Sequence, residues 1–291
     1  MQHVTLRLRT AVAALVLLAA SPATAAEGVP LSQLRQQTHF HGLAVDPTDR
    51  SRLYLATHHG FFLLGADGMA TRVSQVQDFM GFTPHPGDSK ILYASGHPAG
   101  GGGLAFIVST DGGATWTQLA PGANGPVDFH QMDVSPADPD VIYGAYGNIQ
   151  VSRDGGRSWR ETGPSPEGLI QLAASPASAD RLYAATRVGL LVSDDAGATW
   201  RTVAFDTEIV SVVRGSPGGR LLAFVVGRGL LGAAESDLAN WTPLGGGSTD
   251  QVLVHLAIDP IDANQLYAIT YDGDVIASAD GGTSWRRFGA P

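Results

Sequence analysis

Short apolar runs recur along this chain, and each stops at the same kind of signal. LAVDP (43–47), MDVSP (132–136), LAASP (172–176) and LAIDP (256–260) end in Asp-Pro or Ser-Pro. Shortly after each comes a second run: LYLAT (53–57), VIYGAY (141–146), RLYAAT (181–186) and QLYAIT (265–270). Looser copies, GFTPHPGDSKILYAS (81–95) and VVRGSPGGRLLAFV (212–225), fill the gaps. The runs are strand-length, rich in β-branched and aromatic residues, and bounded by turn formers, with no sustained helical period. They predict many short strands. Innermost strands are expected to begin near residues 40, 79, 129, 169, 209 and 253. Four strands per unit at a period of about 40 to 50 residues is the signature of a β-propeller. The fold class is therefore all-β: a single six-bladed propeller over 38–291, with 27–37 as a lead-in or closing outer strand.

Four units carry one further pattern, each copy following one apolar strand and preceding another: STDGGATW (109–116), SRDGGRSW (152–159), SDDAGATW (193–200) and SADGGTSW (278–285). The aspartate can cap backbone N–H groups in a turn, glycine accepts positive φ, and the tryptophan supplies a large packing surface. Asp111, Asp154, Asp195 and Asp280, with Trp116, Trp159, Trp200 and Trp285, are thus assigned to structure. The first unit keeps only a decayed version, GADGMATRV, and the fifth a weak one, SDLANW.

These boxes resemble BNR/Asp-box repeats, as found in sialidases, sortilin-type receptors, some glucan hydrolases and photosystem assembly factors. The resemblance implies a propeller with the boxes on its outer rim. It also implies two functional alternatives: a glycoside hydrolase-like enzyme, or a scaffold for protein interaction and assembly. A typical sialidase is disfavoured, because no Arg-Ile-Pro stretch occurs and the arginine cluster is missing. Another hydrolase would need two carboxylates flanking a glycosidic bond, for which Asp78 and Asp128 are the candidates.

Composition narrows the setting. The chain has 291 residues, 44% apolar and 15% charged, as a globular protein should. Its first 26 residues carry Arg7 and Arg9, an apolar run (11–20) and the small-residue site Ala23-Thr24-Ala25. This reads as a signal peptide, too short to span a membrane, and predicts a periplasmic or secreted bacterial protein without a transmembrane segment after cleavage. The basic residues number 18 against 27 acidic ones, which argues against nucleic acid as a partner. Without cysteine there is neither a disulfide nor a thiolate metal site.

Candidate chemistry comes from what the repeat does not conserve between units. Six of the nine histidines (39, 41, 58, 59, 97 and 130) fall in the first three units, at the start of the inner strand or the end of the second. Aligned on the repeat, His39 matches Asp78 and Asp128, and His41 matches Met80, His130, Ile170, Val210 and Val254. His58 matches His97, Gly147, Arg187, Gly227 and Tyr271. The two strands form an antiparallel hairpin, so these positions converge at one face, by the channel mouth. Imidazoles beside carboxylates or thioethers suit a transition metal, zinc or, with Met80 or Met132 as ligand, copper. The expected ligands are His41, His58, His97 and His130, with His39, His59, Met80, Asp78 and Asp128 as alternates. A small ligand, a glycan or a protein is the expected partner at this face. The run PAGGGG (98–103) would overhang it.

Overall fold

The computed structural model describes residues 28–98, 105–245 and 251–289. The apolar leader and most of the Gly-rich run lie outside the described residues. Six antiparallel sheets follow one another around a ring, each with four strands in sequence order from the centre outwards. The innermost strands are Phe40–Val45, Gln77–Pro84, Gln131–Val134, Leu169–Ala174, Val210–Ser216 and Leu253–Ile258. Each packs against the next, and the sixth packs against the first. The chain is a six-bladed propeller, as the spacing predicts.

Both faces of every sheet are covered by neighbouring blades, so the strands read as unbroken apolar runs. Alternate side chains go to opposite sides. Leu43 and Val45 join the core shared with the sixth blade, while Ala44 joins the core shared with the second. One apolar cluster sits at each blade boundary.

The boxes lock these boundaries from the rim. In the second blade, Asp111 accepts from the backbone N–H and the hydroxyl of Thr115, at 2.9 and 2.6 Å, and Ser109 donates to it at 2.8 Å. The same bonds recur around Asp154, Asp195 and Asp280. They hold the last three carboxyls down at about 2. Trp116 packs against Phe61 of the first blade and Phe79 of its own. Trp159 repeats this with Phe106 and Phe129. Gly113 has φ +90, and a methyl there would run into the Phe61 ring, so only glycine lets that ring seat.

Among the described residues, no strand is exchanged to close the ring. Val29–Pro30 pairs with Met69 and Ala70 as a fifth, outer strand of the first blade, and Leu31–Gln37 forms a short helix. Side chains join the first and sixth blades: Arg50 bonds Asp259 at 3.1 Å, Arg35 pairs with Asp274, and His255 Nε2 donates to the Phe40 carbonyl at 3.1 Å. Nearer the axis, Arg214 of the fifth blade lies 3.3 Å from Asp133 of the third and donates to the Leu256 carbonyl of the sixth.

Candidate metal centre

The start of the first inner strand is not regular. Phe40 pairs with Thr57 and Gly42 with Ala56, leaving His41 as the extra residue of a β-bulge. A bulge re-aims the side chain it carries. His41 turns to the end of the second strand, where its Nε2 lies 2.9 Å from His58 Nε2. The rings meet edge to face, with centroids 4.1 Å apart. On its other edge, His58 Nδ1 lies 2.9 Å from Asp78 Oδ2, which belongs to the next blade.

The step from blade to blade then repeats. His97, the counterpart of His58, has Nδ1 3.9 Å from Asp78 Oδ2 and Nε2 3.3 Å from Asp128 Oδ2 in the third blade. Asp128 Oδ2 also receives His130 Nε2 at 2.9 Å. The result is one polar arc over three blades, in the order His41, His58, Asp78, His97, Asp128, His130.

The tautomers along the first part follow from the carboxylate. Asp78 accepts from His58 Nδ1–H, so His58 Nε2 carries a lone pair and His41 Nε2–H donates to it. Burial, reinforced by the neighbouring His58, pushes His41 down to about 3, so its ring is neutral at ordinary pH. At the far end the hydrogen bond to Asp128 raises His130.

Among the described residues, His41, His58 and Asp78 are the group whose potential ligand atoms lie within 4.8 Å of one another. The four expected histidine ligands therefore divide, His41 and His58 forming one pair while His97 and His130 gather on Asp128. His39 is exposed, with its ring 5.8 Å from that of His58. His59 is exposed as well. The expected thioether donors are placed otherwise. Met80 is buried, and Met132 belongs to the core between the second and third blades, so the sulfur argument for copper loses its support.

Two positions escaped the sequence reading. His255 appears isolated along the chain, yet its bond to Phe40 anchors the strand just before His41. In the fifth blade, Val210 pairs with Val225 as Phe40 does with Thr57. The counterparts of His41 and His58 are thus Ser211 and Val226, one residue on from Val210 and one before Gly227. Elsewhere around this face Tyr146, Val188, Ile209, Val226 and Tyr271 are exposed, beside Arg187 and the Arg228–Glu208 ion pair.

The BNR/Asp-box repeat family matches residues 107–118, the first full box. The chain is a β-propeller with a BNR/Asp-box repeat. No curated protein matches it. Among solved structures, the propeller is similar to the GH74 xyloglucanase from Xanthomonas campestris, with 19% identity and a TM-score of 0.60 over 91% of this chain and 46% of that one. It is likewise similar to the GH74 enzyme of Niastella koreensis, at 16% and 0.62 over 90% and 46%. The chain thus spans about half the length of these GH74 structures. YCF48 bound to D1 peptide gives 17% and 0.55 over 92% and 85%. At such identities the likeness is one of fold, and function must be argued from the site.

Proposed function

We propose that this protein is an exported propeller that binds a zinc-type metal ion at the channel mouth, through Nε2 of His41 and His58. The observation that carries this is the 2.9 Å approach of those two nitrogens, with Asp78 behind His58. A tetrahedral zinc about 2 Å from each nitrogen needs them about 3.3 Å apart, a small adjustment. A carboxylate on the far nitrogen of a ligating imidazole fixes its tautomer and raises its basicity. Asp78 stands in that place, and His39, its ring 5.8 Å from that of His58, would have to move in to add a third imidazole. Burial keeps His41 neutral, and binding through Nε2 moves its remaining proton to Nδ1, since a ligating nitrogen must present its lone pair. Imidazole donors without sulfur favour zinc over copper(I). Export rests on the leader described above.

A carboxylate pair for glycoside hydrolysis has less in its favour, since Asp78 and Asp128 are both engaged by imidazoles. The deciding experiment is metal analysis of the protein purified from zinc-replete medium. At least one equivalent, with one equivalent lost in a His41→Ala/His58→Ala double variant that still folds, supports the reading. A metal-free protein after reconstitution ends it.

A further inference from the structure

The second half of the arc is built like a site of its own. His97 Nε2 and His130 Nε2 approach the same atom, Asp128 Oδ2, at 3.3 and 2.9 Å. An ion about 2 Å from each donor suits these two separations, while His97 and His130 stand farther from each other and must close in to share it. They come from three places: the end of the second strand of the second blade, the residue before the third inner strand, and the segment leading to it.

A separate observation concerns the other carboxylate oxygen. Asp128 is 8% exposed, and its Oδ1 is buried with no hydrogen-bond partner. Buried polar atoms without partners are rare in folded proteins, and an anionic one is costly. Asp78 Oδ1 is in the same condition. Two unpartnered carboxylate oxygens beneath a row of imidazoles are what a cationic occupant would satisfy.

We infer that His97, Asp128 and His130 hold a second divalent ion of the zinc type, beside the one proposed at His41 and His58. The inference rests on that reading for the identity of the metal. Asp78 lies between the two positions: its Oδ2 is 2.9 Å from His58 Nδ1, which it orients, and 3.9 Å from His97 Nδ1, beyond hydrogen-bond distance. The second position is the weaker. Its donors are less tightly gathered than the first group, and His130, the most exposed of them, must turn inwards to complete it.

The test is titration of the metal-free protein with zinc by calorimetry, with bound metal counted after gel filtration and cobalt(II) absorption as a second readout. The wild type is expected to take two equivalents in two steps. Asp128→Asn and His130→Ala each remove the second step, or weaken it at least tenfold, and leave the first; His130 is exposed, so that variant folds even if Asp128→Asn does not. His41→Ala removes the first step and leaves the second. A single equivalent that is indifferent to both Asp128→Asn and His130→Ala overturns the second site while sparing the first. Two equivalents that survive both changes also overturn it. No bound zinc at all overturns both readings.

Discussion

Asp78 Oδ2 lies 2.9 Å from His58 Nδ1, and the contact crosses the boundary between the first and second blades. Neither blade contains the pair alone. The proposed metal centre therefore depends on docking of adjacent blades as well as on the strands that carry its residues. Asp78→Asn leaves the shape of the side chain but removes the charge that orients His58. Loss of such an orienting partner weakens metal binding about 10- to 100-fold. Competition titration with a chelating dye measures this, and an unchanged affinity would remove Asp78 from the centre.

Acid acts on two groups of residues in turn. His41 has an ordinary value of 6.5 and a folded-state value of about 3. Between these the unfolded chain binds a proton that the folded chain refuses, so stability rises with pH across the window and is complete above it. The box carboxyls move from 3.8 to about 2, so their contribution is present above 3.8 and is lost as pH falls towards 2. In urea titrations the wild type should lose more stability from pH 7 to 4.5 than His41→Gln does. Equal losses would contradict the burial of His41.

The two glycines of a box are expected to tolerate alanine differently. Gly112 has φ +73, with nothing nearer to an added methyl than Tyr54 Oη at 3.6 Å. Its cost is backbone strain alone, about 1 kcal/mol. Gly113, at φ +90, would also drive the methyl into Phe61. Overpacking adds about 1 to 3 kcal/mol. Thermal unfolding should rank Gly113→Ala clearly below Gly112→Ala, and the reverse order would refute the seating of Phe61 against the box.

Arg214→Ala leaves Asp133, 8% exposed, without its counter-charge. Thr83 Oγ1 and the Ala174 N–H still donate to that carboxylate, at 3.1 and 2.9 Å. Stranding one member of a buried pair costs about 3 kcal/mol. The double variant Arg214→Ala/Asp133→Ala should recover part of this in chemical denaturation. If the two losses simply add, the pair is not coupled.

The fold was open to reading because every blade solves one problem in the same way. Both sheet faces need apolar residues and every rim turn needs a cap, so LYLAT-type runs and Asp-boxes recur at fixed spacing. Half of the site was readable by subtraction, since His41, His58, His97 and His130 stand where later blades place Ile170, Arg187 or Tyr271. What the alignment could not supply was the partner of each histidine. His58 meets Asp78 and His97 meets Asp128 through packing of separate sheets, which leaves no local spacing rule. Two misses remain. The fifth inner strand runs one residue later than the repeat implies, which puts Ser211 in the place of His41, and Met80 lies in the irregular pairing between Phe79 and Phe82.

Closure without strand exchange makes every blade a contiguous stretch of chain. Val29 pairs with Ala70, and a methyl on Gly68 would reach the Gly289 carbonyl at 2.8 Å, so the outer strand of the first blade and the last described residues share one edge. The order of the blades along the polypeptide is then separable from their order around the ring. A circular permutant joining 289 to 28 through a short linker, and opened between Pro164 and Gly168, keeps all six sheets whole. It also keeps His41 through His130 on consecutive blades, now in the carboxy-terminal half of the new chain, where they would be synthesised last.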